Sequence, residues 1–242
     1  MNASMPPSDN KVQTEKPHKP GLLANLLFNI VIPTLIMTKL SGDDRLGPLW
    51  SIVVALVFPV GYGIKDYFDS HKPNFFSALG VISVLLTGTM SLLKLPPEYI
   101  AIKEATIPAL FGLATIFSLN TRYPLVRTFL YNDNVMQIEK VAEALRQNHA
   151  EAAFEQRLKI ASWMVAGSFF MSSILNYVLA KVILVSEPGT TAFTEELGKM
   201  TALSYPVIAI PSTLVLIGAL FYLLKGIRQL TALDYDDIFK EV

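Results

Sequence analysis

Six stretches of this chain are apolar over the length a bilayer demands, and nothing else in the sequence restricts the fold as much. Crossing about 30 Å of hydrocarbon takes ~20 helical residues, with about 17 as a lower bound. Inside lipid each backbone N–H and C=O must find a partner within the protein, so each stretch is expected to be a helix. The spans read as about 22–40, 48–64, 74–93, 101–119, 160–185 and 206–224. The expected fold class is all-α: a polytopic transmembrane helix bundle of six spans, with a short cytoplasmic helical connection, 120–159, between spans four and five. Composition agrees, because only 17% of the 242 residues are charged, against about 25% in an average soluble chain.

Polar breaks separate the spans. Ser41-Gly42-Asp43-Asp44-Arg45-Leu46-Gly47 is too polar to remain in lipid, and Pro48 can open the next helix because its missing N–H costs little there. Asp69–Pro73 and Pro96-Pro97 punctuate the chain further on. Glu187-Pro188-Gly189 is expected to end the fifth helix and to begin a polar loop of about 20 residues. Residues 1–21 carry Pro6, Pro7, Pro17 and Pro20 without a hydrophobic period and are expected to be a disordered tail. A cleavable signal peptide would need a short basic start and an Ala-x-Ala site, and neither is present.

Orientation follows from the basic residues. The side holding both termini, the 2–3 loop and the 4–5 connection has 14 Lys and Arg, and the opposite side has 6. Both termini are therefore expected in the cytoplasm. In the connection, Arg122-Tyr123-Pro124-Leu125-Val126-Arg127 suits the headgroup region, Asn132 or Asp133 can cap a helix, and Ile138, Val141, Ala142 and Leu145 recur at helical spacing. A second helical stretch over Glu151–Lys159 makes a short hairpin of it. The membrane domain runs over 22–225, and the tail 226–242 reads as an amphipathic helix.

No catalytic constellation is visible, and the chain is expected to be non-enzymatic. His18, His71 and His149 lie in tails or loops without ligand partners at metal spacing, and no phosphate loop, dinucleotide fingerprint or nucleophile elbow occurs. No cofactor is expected. The absence of cysteine removes disulfides, thiolate metal sites and Cys nucleophiles. Zero formal net charge removes a broad nucleic-acid footprint.

Polar groups within the spans are the remaining clues. Asn25 and Asn29 are one turn apart in the first span, and Ser168, Ser172 and Asn176 share a face of the fifth. Ser77, Ser83, Thr87 and Thr89 occur in the third span with Gly80 and Gly88. Such groups either bond across packed helices or line a polar cavity. Lys103 and Glu104 fall in the first turn of a helix starting at Ala101, so with Arg122 and Arg127 they are expected at the interface. Glu104 is also the best candidate for an ion or proton path. Pro33, Pro59, Pro108 and Pro211 interrupt four spans, three of them as Ile-Pro. Ile-Pro at the start of each half hints at a three-plus-three inverted repeat.

Several stretches together resemble a bacterial inner-membrane family. Asn29-Ile30-Val31-Ile32-Pro33-Thr34-Leu35-Ile36 runs into Lys39-Leu40-Ser41-Gly42, Lys72-Pro73-Asn74-Phe75-Phe76-Ser77 opens the third span, and Lys103–Pro108 and Arg122–Arg127 follow. Over roughly residues 22–180 the order of helices and basic loops is similar to the intracellular septation protein A (YciB) family. The chain departs from it by a longer 4–5 connection and an added last helix. The resemblance implies a bacterial inner-membrane protein of the cell envelope that contacts division and wall-synthesis proteins. The expected function is thus a non-enzymatic envelope protein acting through protein contacts within the lipid bilayer; a homo-oligomer fits the same surfaces. The alternative is a small transporter or channel with an uncharged polar pathway lined by Asn25, Asn29, Ser172 and Asn176.

Overall fold

The computed structural model describes residues 26–70, 75–121, 124–131 and 136–240. The expected 1–21 tail, Asn25, Arg122 and the capping candidates Asn132 and Asp133 lie outside them. The described residues are helical throughout apart from turns and one isolated antiparallel bridge, Met136 with Phe239. In chain order the helices are α1 (Leu27–Lys39), α2 (Gly47–Ser70), α3 (Phe75–Leu92), α4 (Pro97–Ser118) and α5 (Leu125–Leu130). α6 (Ile138–Gln147), α7 (Glu151–Ile183), α8 (Thr191–Thr231) and α9 (Tyr235–Ile238) follow. α2, α4, α7 and α8 are long and apolar enough to cross a membrane, while α1 and the apolar part of α3, Ala78–Leu92, are shorter.

Large apolar side chains cover the outside. Trp50, Phe117, Trp163, Leu214 and Phe221 are each more than half exposed. Water would penalise so wide an apolar surface, whereas acyl chains solvate it at no cost.

α7 and α8 form the long antiparallel axis. At 33 and 41 residues they measure about 50 and 61 Å at 1.5 Å per residue, so both outrun the hydrocarbon. Small polar groups fix their register: the Ser168 hydroxyl donates to the Ser212 carbonyl (3.0 Å) and Arg157 to the Gln229 amide oxygen (2.7 Å). Two apolar cores lie at opposite ends of this pair. One gathers Val141, Leu145, Phe154, Leu158, Leu223 and Ile227 where α5, α6 and α9 pack on it. The other gathers Ile36, Ile52, Ile100, Leu179, Phe193 and Leu197 where α1, α2 and α4 do so.

Three boundaries differ from the sequence expectation. The expected polar loop after the fifth span is instead the first third of α8. Thr190 caps it by accepting from the Phe193 N–H (3.2 Å), and Glu196 accepts from the Val185 and Ser186 N–H groups at 3.0 and 2.9 Å, which ties the α7–α8 turn. Its apolar stripe of Phe193, Leu197 and Met200, at i, i+4 and i+7, packs on α1 and α2. Gly198 lets the backbones meet: a Cβ there would lie 3.0 Å from the Met37 Cβ and the Thr38 Cγ2. Secondly, Glu151–Lys159 is not a separate helix but the start of α7, entered from α6 through a turn in which His149 has φ +52°. Thirdly, the tail is not one amphipathic helix. α8 stops at Thr231, Ala232 takes a left-handed conformation (φ +57°), and the short α9 docks on α6. There the Gln137 N–H donates to the Ile238 carbonyl (2.8 Å) and Lys140 pairs with Asp237 (2.7 Å).

Gly198→Val is expected to lower the thermal midpoint in detergent, with a cost of about 1–3 kcal/mol from forcing α8 off α1. Gly218→Ala, where a Cβ meets nothing within 4 Å, should leave the midpoint unchanged or raise it, since Gly costs a helix interior roughly 0.5–1 kcal/mol relative to Ala. The hydrogen bond from Lys140, with help from the Asp234 N–H and the Lys140 charge, holds the Asp237 carboxyl below its usual range. A lowered folded value means that the contribution is whole above the ordinary carboxylate range and is lost as the pH falls through the lowered one. Protection of the amides in 232–240, taken against the intrinsic exchange rate at each pH, should therefore fall on acidification below about pH 4, and Asp237→Asn should show the lowered protection already at neutral pH.

Candidate functional site

Beside the second apolar core, whose Met37, Ile52, Leu197 and Met200 also form part of its wall, the helices part around a cavity of about 510 Å³. α1, α2, α3, α4, α7 and α8 all contribute to its wall. Proline accounts for part of the separation. A proline inside a helix clashes with the carbonyl four residues back and bends the axis. Pro33 and Pro59 stand in the wall itself. Pro33 and Pro211 each follow a π-helical turn, Leu27–Val31 and Tyr205–Ala209, in which the N–H of Ile32 or Ile210 reaches the carbonyl five residues back instead of four. The wider turn moves the obstructing carbonyl aside and enlarges the helix locally.

Among the described residues that line the cavity, Glu104 alone carries a charged side chain. α4 begins at Pro97, which accepts the first helical position readily, not at Ala101. That puts Lys103 and Glu104 in the second turn, about 9–11 Å along the helix axis. Both turn toward the middle of α3. The Lys103 ammonium donates to Glu104 Oε1 (2.7 Å), the Thr87 hydroxyl (2.6 Å), the Ser83 hydroxyl (3.0 Å) and the Ser83 carbonyl (3.2 Å). Four acceptors surround three protons, so the ammonium is saturated. Its side chain is 9% exposed, and that of Glu104 is 23% exposed.

Asn29, Ser172 and Asn176, from two distant parts of the sequence, line the same cavity. Ser168 does not; its hydroxyl is spent on α8. Asn25 and Arg122 lie outside the described residues. Arg127 belongs to the other end of the molecule, where it pairs with Glu155 (3.2 Å) and lies 6.0 Å from the centre of the Tyr131 ring. Ser83 and Thr87, expected in the third span as packing or lining groups, hold Lys103 and line the wall. Sequence inspection missed Thr201, Ser204, Tyr205 and Ser212, because their segment was assigned to a loop or a span end. The stripe Phe193, Leu197, Met200 is the sequence signal that extends the helix through them.

The chemistry of the wall is lopsided. α2 contributes Ile52, Ala55, Leu56 and Pro59, all apolar, whereas α3, α4 and α7 contribute hydroxyls, an amide and the carboxylate. The hydroxyls of Thr201 and Ser204 donate to carbonyls of their own helix at 2.9 and 2.8 Å, and the Asn176 amide nitrogen donates to the Ser172 carbonyl at 2.8 Å. These three donors are thus turned into the protein, whereas the buried Ser212 hydroxyl in the same wall has no hydrogen-bond partner among the described residues. No three His, Asp or Glu side chains cluster at metal-binding range among the described residues. The arrangement can hold a molecule by hydrogen bonds; it does not set a nucleophile against a base.

Glu104→Leu alone leaves the Lys103 ammonium without its counter-charge and should destabilise the protein by about 3–5 kcal/mol. Replacing both partners by Lys103→Met and Glu104→Leu should restore most of that loss, because an apolar pair of similar volume needs no compensation. Thermal melts of the three proteins in one detergent check the order. Comparison with known proteins finds no matching family model, no matching curated relative and no matching solved structure.

Proposed function

We propose that this chain is a small multi-pass transport protein that holds its solute in the cavity between α1, α2, α3, α4, α7 and α8. One observation carries this: Asn29, Ser172 and Asn176, with Glu104, come from three separate helices to one cavity. Polar groups that served packing alone would bond across tight helix contacts, as Ser168 and Ser173 do with the carbonyls of Ser212 and Ala105, whereas Asn176 bonds within its own helix, to Ser172. The size suits a small ligand, since such sites occupy about 300–1,000 Å³. Broken helices around a polar site also belong to many transporters, whose interrupted segments supply polar backbone where a ligand sits.

In this proposal α1 and α3 complete a set of six spans, with the apolar sequence over 22–40 and 74–93 providing the needed length. Both termini face the cytoplasm of a bacterial inner membrane, and so do α5, α6 and α9. The excess of Lys and Arg on that side, 14 against 6, supports the orientation. A second function, an envelope protein of the septation type working through contacts with other membrane proteins, is favoured by the folded module of α5, α6 and α9. Exposed Glu139, Lys140, Glu143 and Arg146 give that module a solvated face on which a partner could dock.

The chain has no cysteine, so single cysteines report without background. At positions 172 and 176 they should react with a water-soluble thiol reagent in proteoliposomes, while those replacing Trp163 and Leu214 on the lipid face should not. A cysteine at Glu187 should be modified from outside intact spheroplasts and one at Gln147 only after lysis. Silence at 172 and 176 would mean a dry bundle and would overturn the transport proposal. Uptake by cells with and without the protein, compared over pools of small solutes, then identifies the cargo.

A further inference from the structure

The proposed cavity is defined more sharply by its hydrogen-bonding character than by its size. Glu104 gives Oε1 to Lys103 and Thr87, and its Oε2 receives no hydrogen bond from the described residues. This oxygen belongs to a side chain that lines the cavity. Asn176 spends its amide nitrogen on Ser172, which leaves its Oδ1 as an acceptor. Lys103 is next to the site but outside its wall, and its protons are all engaged. Glu104 Oε2 and Asn176 Oδ1 are therefore acceptors on residues that line the cavity, the Ser172, Tyr205 and Ser212 hydroxyls beside them can give or take a hydrogen bond, and the charge behind the wall sums to zero.

Resting on the transport reading above, we propose that the ligand is a neutral amphiphile with an apolar edge and a hydroxyl or amide edge that donates to Glu104 Oε2 and Asn176 Oδ1. Three observations select this class. Glu104 Oε2 and Asn176 Oδ1 can only accept, so the ligand edge that meets them must donate, and a carboxylate or phosphate would set a second anion against the Glu104 carboxylate. A cation would add an unpaired charge to a site where Lys103 already neutralises Glu104, and an uncompensated charge away from water is costly. The apolar face of α2 opposite the acceptors favours a molecule with one oily side, which a sugar or an ion lacks. Lys103 is a positioning residue: it touches no ligand, but it sets both the direction and the net charge of the Glu104 carboxylate.

The experiment uses four probes of one framework: 2-phenylethanol, its methyl ether, 2-phenylethylamine and phenylacetate. Binding to the full chain in zwitterionic-lipid nanodiscs at pH 8 is followed by saturation-transfer NMR. The wild-type protein should bind the alcohol best. The ether, which has lost only its donor, should bind at least about tenfold more weakly, as for one hydrogen bond to a charged acceptor. In Lys103→Met the cavity becomes anionic, and the preference should turn from the alcohol to the amine. The double variant Lys103→Met, Glu104→Leu should stay folded and lose the distinction between alcohol and ether. Equal binding of alcohol and ether, or an amine or acid preferred by the wild type, would overturn the ligand class while leaving a binding cavity and the transport proposal in place. No probe binding, together with unreactive cysteines at 172 and 176, would overturn both.

Discussion

The antiparallel contact of α7 with α8 is the constraint on which the rest of the molecule depends. Each helix outruns a bilayer; α1 and α2 lean on one end of the pair, α5, α6 and α9 on the other, α4 lies along α7, and α3 is held through α2. The first third of α8 clamps α1 and the start of α2, using the close approach at Gly198. The start of α7 and the end of α8 carry α5, α6 and α9. Gly112, whose Cβ would lie 3.0 Å from the Phe170 ring, brings α4 against the middle of α7. Lipid gives apolar helices little reason to associate, so such small-residue contacts and interhelical hydrogen bonds must hold the pair together. The cavity exists because the contacts concentrate at the two ends and at α4, not beside α3.

The six apolar stretches could be recognised because span length is a property of the solvent: bilayer thickness fixes it whatever the tertiary structure. Helix ends are set by local competition and were less visible. Pro97 could have been a break or a first helical residue, and the choice moved Lys103 and Glu104 about one turn further along the helix, where Glu104 lines the cavity. Residues 191–204 look like a loop because Thr190, Thr191, Glu195, Glu196 and Lys199 are polar. Those polar groups are, in fact, a cap, a turn anchor and a solvated side around the Phe193, Leu197, Met200 stripe. Ser172 and Asn176 could be paired from the sequence, since i and i+4 share a helix face. That Asn29 should meet them depends on packing between segments about 140 residues apart, which no local pattern encodes.

The prolines illustrate how a defect in a helix becomes an architectural element. Pro33 and Pro211 are each preceded by isoleucine and by a π turn that absorbs the missing bond. In water such a break would simply hydrate. In lipid it must face protein or a wet cavity, because irregular backbone exposed to acyl chains goes unsatisfied. The position of these turns beside the cavity is therefore a consequence of solvent as much as of sequence. The same argument explains the back-bonded hydroxyls of Thr201 and Ser204, which complete their own hydrogen bonding before any ligand arrives.

α3 then acquires a distinct mechanical character. It packs along α2, where Gly88 accepts the side chain of Leu56, but it touches α4 at few points. They include polar bonds from the Lys103 ammonium to Ser83 and Thr87 and from the Thr87 hydroxyl to Glu104. Parting α3 from α4 would sacrifice these hydrogen bonds. Water entering the cavity can replace hydrogen bonds, whereas it cannot replace packing. Hydration of this seam lowers the cost of opening it, and drying raises that cost. The ion pair thus couples the wetness of the cavity to the freedom of α3, which is the element best placed to move if the site is to be reached from one side at a time.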